Sequence, residues 1–194
     1  MAERLIAGVD EAGRGPLAGP VCVAAVILPS SHGIVGLADS KKLTAKRRER
    51  LAIQIRAEAL AYTVIFVSAQ EIDRLNILAA TLQGMQQAVQ ALSPAPELVL
   101  VDGNQLPALD YPARSIVGGD ASEACISAAS ILAKTERDAL LDDMHERYPE
   151  YGFNRHKGYP TRDHLAALQQ YGPTPEHRRS YAPVARLLAH REEG

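Results

Sequence analysis

The chain has 194 residues, 46% of them hydrophobic and 23% charged, with a formal net charge of −2 at pH 7. That length is enough to bury a substantial core in one large domain, and the balance of residue types is that of an ordinary soluble globular protein. The near-neutral total excludes a global pull toward polyanions or membranes, no apolar run approaches the ~20 residues of a membrane span, and "MAERLIAG" lacks a signal peptide's basic-then-apolar layout.

In chain order, residues 4–9 and 21–28 are predicted strands, rich in β-branched side chains and joined by a glycine-rich loop. A helix over 44–61 follows, with Thr44 as its N-cap. "YTVIFVS" (62–68) is a third strand. Apolar residues from Ile72 to Val89 recur at i, i+3 and i+4, predicting one long helix over 69–92 that Ser93-Pro94 ends. "ELVLVDG" (97–103) is a continuous apolar run of the kind buried on both faces. A short strand is predicted over 113–120 and a helix over 122–148. Beyond Pro149 the chain turns polar and basic, with helices at 161–170 and 182–190. The sum is a mixed α/β core, residues 1–148, with a small helical extension, 149–194, packed as part of one domain.

Charge is uneven along this frame. "KKLTAKRRER" (41–50) carries six basic residues against one acid, and residues 155–191 carry seven against two. Such patches suit a protein that meets polyanions on one face; two solvated helix faces explain them equally well. Cys22 and Cys125 sit in apolar surroundings without metal-ligand spacing, so both are expected as buried free thiols in a reducing, cytoplasmic setting.

Four acids share an unusual placement. Asp10 and Glu11 end the first strand, Asp102 ends the "ELVLV" strand, and Asp120 ends "SIVGG" just before a helix. Strand ends of α/β sheets are where ligand crevices form, and an unpaired buried carboxylate is costly. Each acid alone is explained by capping or by a solvated strand end. Together they would line a pocket too negative to stand without a cation, and Mg²⁺ or Mn²⁺ suits oxygen donors where zinc would call for His or Cys. Two such ions would activate a water and stabilise the leaving oxygen in phosphodiester cleavage.

Other readings of the same stretches are weak. Gly13, Gly15 and Gly19 depart from the dinucleotide spacing and precede a strand. The histidines at 145, 156, 164 and 177 never pair at the spacing of a helical zinc site. Neither G-x-S-x-G nor GK[ST] occurs.

Gly13-Arg14-Gly15 lies beside two of the candidate acids. Bare backbone there can approach a ligand closely, bonding a sugar hydroxyl while Arg14 holds a phosphate; a tight turn between strands is the plainer alternative. "FNRHKGYPT" (153–161) interleaves Arg155, His156 and Lys157 with Tyr159, a nucleic-acid contact pattern. Ser40, Lys41 and Lys42 of "DSKKL", and Arg178 and Arg179 of "EHRRSY", are candidate phosphate contacts, or surface charge.

Taken in order, "AGVDEAGRGPLAGPV", "LADSKKLTAKRRE", "EIDRLNIL", "VLVDGN", "GGDA", "SAASILAKTERD", "YGFNRHKGYPT" and "HRRSYAPV" resemble bacterial ribonuclease HII from Leu5 to Leu188. The resemblance implies a ribonuclease H-like mixed sheet flanked by helices, with a C-terminal helical extension. It implies a Mn²⁺- or Mg²⁺-dependent endonuclease, a two-metal monomer, acting on RNA–DNA hybrids and on single ribonucleotides embedded in duplex DNA. The cut would fall on the 5′ side, leaving 3′-hydroxyl and 5′-phosphate ends. Asp10, Glu11, Asp102 and Asp120 would hold the metals, Gly13, Arg14 and Gly15 would sense the ribose 2′-hydroxyl, and Tyr159 would stack on the adjoining deoxyribose. The related ribonuclease HIII carries a long N-terminal extension, whereas the first strand here opens at Arg4, which favours HII. Departures are small: Thr135, Tyr181 and Gly118 stand where relatives often carry valine, phenylalanine and, in some, lysine. Another nuclease on the same fold, or a hybrid-binding module without catalysis, are the alternatives; the second sits badly with acids that would repel phosphates.

Overall fold

A computed structural model of the chain describes residues 4–37 and 40–192; the side chains of Lys41, Arg191 and Glu192 lie outside the described structure. Its centre is a five-stranded sheet: β1 (Ile6–Ala12), β2 (Val21–Ile27), β3 (Ala61–Val67), β4 (Leu98–Asp102) and β5 (Ala113–Ile116), in the order β3-β2-β1-β4-β5. β1 runs antiparallel to β2 and parallel to β4, so the sheet is mixed. The helices are α1 (Ala45–Glu58), α2 (Ala69–Leu75), α3 (Ile77–Gln90), α4 (Gly119–Ser122), α5 (Ala124–Arg147), α6 (Phe153–His156), α7 (Arg162–Tyr171) and α8 (Ala182–Glu192).

β2 is buried along its whole length, and its side chains alternate between two cores. Cys22, Ala24 and Val26 pack with α1 and α5 through Leu51, Ile55 and Leu132. Val23, Ala25 and Ile27 face α3 through Met85, Ala88 and Val89. Covering both faces of the sheet with helices is the layered solution that near-continuous apolar strands require. α5 lies unusually close to β1: a Cβ on Gly8 would fall 2.1 Å from the Cys125 carbonyl carbon. Glycine is what permits that approach, and it sets the height of α5 above the central strand.

Three expectations change. β1 continues to Ala12, so Asp10 and Glu11 lie inside the strand, paired with Ala24 and Val23 of β2, rather than ending it. The long helix over 69–92 is two helices, broken at Asn76. That residue adopts φ +73°, and its side chain accepts from the Ala79 amide as the N-cap of α3, a role asparagine fills well. The strand expected over 113–120 stops at Ile116, and Asp120 falls in the first turn of α4. Gly118, at φ +69°, caps that turn in the left-handed region, where a lysine would be strained. Thr44 does cap α1, accepting from the Arg47 amide.

The segment after Pro149 packs on the loop between β1 and β2. The Leu17 amide donates to Gly158 (2.8 Å), Gly19 to Glu176 (2.9 Å), and the Arg178 amide to Leu17 (2.8 Å). Tyr151 and Phe153 stack at 5.4 Å and seal the junction with Leu141 and Met144 of α5.

Candidate active site

The period-2 alternation of a strand decides where the acids point. Val9 and Val101 face α3, so Asp10 and Asp102, the next residue on each of two paired parallel strands, turn toward α5. Asp10 is buried, with 6% exposure, and its Oδ1 accepts from the Glu11 amide at 2.7 Å. Burial first, then the negative charge of Glu11 and of Asp102, holds its carboxyl well above the ordinary carboxylate value, opposed by a hydrogen bond from Ser130. Asp102 accepts from the Gly119 amide at 2.8 Å, which ties it to the residue before the buried Asp120. Glu11 pairs with Arg14 at 3.4 Å.

The acids are thus neighbours in a chain of pairs. Among the described residues, no ready-made group of three His, Cys, Asp or Glu side chains stands together as a metal site; the four acids sit toward the ends of the neighbouring strands β1 and β4 and in the first turn of α4. The donors are all carboxylate oxygens, the chemistry a hard divalent cation takes, and positive charge beside Asp10 would relieve the repulsion that raises its pKa.

Glu11 and Arg14 sit between two clefts. One, of about 270 Å³, is bounded by Gly13, Gly15, Ser40, Ser130, Lys134 and Tyr159. The other, of about 180 Å³, is bounded by Asp102, Gly103, Asn104, Gln105 and Thr81. In the first cleft, Gly15 meets Tyr159 directly: a Cβ there would lie 3.4 Å from the ring, and Tyr159 is 44% exposed. Residues distant in sequence, the glycine loop and the tyrosine, form opposite walls of one opening beside Glu11.

The loop is held from beneath by two buried arginines. Arg178 donates to the carbonyls of Gly13 (2.6 Å), Arg14 (2.8 Å) and Gly19 (3.0 Å). Arg137 of α5 donates to Pro20 (3.0 Å), Ala18 (3.1 Å) and, across the cleft, Lys157 (3.0 Å). Neither forms an ion pair among the described residues, and burial lowers both pKa values, that of Arg137 to about 10. Their charge is met by six carbonyl dipoles.

Several sequence expectations are corrected here. Arg178 is fully buried and braces the loop, so it is no surface contact for phosphate. Ser40 is also buried, its hydroxyl 2.9 Å from that of Ser130 at the base of the cleft. The Lys157 ammonium is tied to the Asp138 carbonyl (3.1 Å) and the Asp142 carboxylate. Arg48, within the basic run, turns inward to the carbonyls of Ser40 and Leu43. Lys42, Lys46, Arg47, Arg50 and Arg179 are exposed, while the side chain of Lys41 lies outside the described structure. Cys125 is half-buried rather than buried, and burial pushes its thiol up to about 11. Sequence reasoning missed Ser130, Arg137, His164 and His177; Ser130 and Arg137 share one face of a helix whose residues were read only as packing.

A mixed sheet in this order, with acids on its two central strands at a crevice under one long helix, defines a ribonuclease H-like protein. A profile of the ribonuclease HII family matches residues 7–184. The ribonuclease HII of Azoarcus sp. (strain BH72) is 62% identical over 185 residues, spanning 95% of this chain and 91% of that protein. That of Bordetella pertussis is 60% identical over 180 residues, 93% and 90% of the two chains. Among solved structures, ribonuclease H2 from Pyrococcus horikoshii OT3 superposes with a TM-score of 0.84 at 26% identity, covering 97% of this chain and 99% of that one. Bst-RNase HIII in complex with Mn²⁺ shares the fold, with a TM-score of 0.70 at 18% identity over 100% and 72% of the chains. The chain belongs to the ribonuclease HII family. No helix among the described residues is long and apolar enough to cross a membrane.

Proposed function

We propose that this ribonuclease HII family member is a divalent-metal endonuclease that cuts RNA–DNA duplexes on the 5′ side of a ribonucleotide, leaving 3′-hydroxyl and 5′-phosphate ends. The observation that carries this reading is the shared cleft. Glu11, next to the buried Asp10, lies beside the bare backbone of Gly13 to Gly15, with Tyr159 on the opposite wall. This proximity supports a reading in which recognition of a ribose and hydrolysis beside it lie within one nucleotide of each other.

Asp10, Glu11, Asp102 and Asp120 would hold Mg²⁺ or Mn²⁺. When bound, such ions polarise a phosphoryl oxygen and lower the pKa of a water that attacks phosphorus. The chain itself does the rest. Asp10 is oriented by the Glu11 amide and Ser130, Asp102 by the Gly119 amide. The loop offers backbone groups to a 2′-hydroxyl, the group that separates RNA from DNA, while Arg14, half-exposed, reaches phosphate. Tyr159 gives a flat face to the neighbouring sugar. Exposed Lys46, Arg47 and Arg50 beside a cleft of about 530 Å³ suit the duplex backbone without reading sequence. We further infer a monomer acting in the cytoplasm.

The test is end-mapping of products from three duplexes: one with a single ribonucleotide, one with an RNA strand, and an all-DNA junction. One cut 5′ of the ribonucleotide, and none in the junction, is the expected pattern. Cleavage of the junction alone would assign another nuclease activity to the fold.

A further inference from the structure

Three histidines that share no sequence spacing converge beneath Tyr159. The rings of His156 and His164 stack at 4.4 Å and 10°, and His164 Nε2 lies 3.1 Å from His177 Nε2. Every other ring nitrogen of the three has a backbone partner, and those partners fix the protons. A carbonyl only accepts, so His156 Nε2 donates to Tyr151 (2.7 Å) and His164 Nδ1 donates to Tyr159 (2.9 Å). An amide N–H only donates, so His156 Nδ1 accepts from Gly158 (3.2 Å) and His177 Nδ1 accepts from Thr174 (3.0 Å). A neutral imidazole has one N–H. Hence His177 carries its hydrogen on Nε2 and donates it to the bare Nε2 of His164.

The array grips the backbone on both sides of the peptide that carries Tyr159: His156 holds the Gly158 amide and His164 the Tyr159 carbonyl. Gly158 in turn packs on the glycine loop, where a Cβ would fall 2.7 Å from the Ala18 carbonyl oxygen. No other set of neutral tautomers satisfies these backbone bonds, and the Thr174 hydroxyl, 2.9 Å from His177 Nδ1, donates to the same acceptor.

We infer that His156, His164 and His177 are positioning residues, a tautomer-locked neutral array that sets where Tyr159 stands across the cleft from Gly15 and so tunes substrate selection. This rests on the reading of Tyr159 as a sugar-stacking residue. Burial among Tyr151, Phe153 and the other rings disfavours charge on all three, lowering His164 to about 4 and His177 to about 3. The charged and titratable groups facing them are Arg155 of α6, Asp163 of α7 and His145 of α5; Asp163 favours charge on His156, while Arg155 and His145 oppose it.

The test has two arms. Long-range ¹H–¹⁵N spectra of the wild-type protein report tautomers directly. The expected pattern is Nε2–H on His156, Nδ1–H on His164 and Nε2–H on His177, with no titration of His164 or His177 between pH 7 and 5. In steady-state kinetics on a duplex with one ribonucleotide, His164→Phe keeps the ring and loses the donor. It should raise KM about fivefold, the equivalent of one net hydrogen bond, with kcat unchanged. His164→Asn restores a donor for the Tyr159 carbonyl and should recover most of the loss. Nε2–H on His164, titration near 6.5, or equal KM in all three proteins would overturn the inference. If His164→Phe does not fold, the spectra and His164→Asn decide alone. Failure of the wild type to cut would sink the functional reading while leaving the tautomer result to stand or fall separately.

Discussion

The guanidinium of Arg137 fills the space in front of Gly13: a Cβ on Gly13 would lie 1.9 Å from its Nε. Gly13 is therefore required twice, once by φ +95° and once by the arginine beneath it. Gly13→Ala should strain the backbone and displace Arg137 from the carbonyls it bonds. The expected result is at least a tenfold loss of kcat/KM on a single-ribonucleotide duplex, about 1.4 kcal/mol or more in transition-state binding. Activity within twofold of wild type would show that the loop tolerates repacking.

Arg14 and Arg178 separate contact from support. Arg178→Met takes the donor from the Gly13 and Gly19 carbonyls, while the Arg14 carbonyl keeps the Tyr181 hydroxyl, and each buried group so orphaned costs about 1–3 kcal/mol. Urea unfolding should show a loss of several kcal/mol. Arg14→Ala removes only an exposed pair with Glu11, worth about 0–1 kcal/mol, so stability should hold while KM rises.

Gly8→Ala should be among the most damaging single changes. The added methyl meets the Cys125–Ile126 backbone at 2.1–2.4 Å, and overpacking of this kind costs about 1–3 kcal/mol or more. A fall in Tm with unchanged substrate preference in the remaining folded protein is expected, because Gly8 touches no part of the cleft.

Acid should weaken the extension through its histidines. The folded-state pKa values of His164 and His177, about 4 and about 3, lie below the unfolded value of 6.5. Their contribution to stability is complete above pH 6.5 and is lost as pH falls toward 4 and 3. Urea midpoints should drop across that window, and the drop should shrink in His164→Phe/His177→Phe. An unchanged pH dependence in the double variant would contradict the assignment.

Much of the frame was legible because burial on both faces leaves long apolar strands, and the capping residue Thr44 does in the structure what its type suggests. Asn76 hid the break between α2 and α3, since the apolar period runs on through it and only its positive φ interrupts the helix. The acids were conspicuous because carboxylates are costly in buried strands. Arg178 was misread because charge in sequence does not reveal which side faces solvent. The histidine array was invisible for a different reason: α6, α7 and the segment before α8 bring together residues with no shared local period.

Asp10 carries the central claim, and its charge is also a burden to the fold. Its carboxyl is held above the usual value by burial and by Glu11 and Asp102, so at neutral pH the charged form destabilises the metal-free chain. The most direct measurement compares the wild type with Asp10→Asn on a DNA duplex bearing one ribonucleotide, in Mg²⁺, in Mn²⁺ and in EDTA, with Tm recorded in EDTA at pH 7. The account predicts a single cut 5′ of the ribonucleotide by wild type with either ion, none in EDTA, and none by Asp10→Asn, whose Tm is equal to or above that of wild type. Wild-type cleavage in EDTA, or full activity in Asp10→Asn, would contradict it.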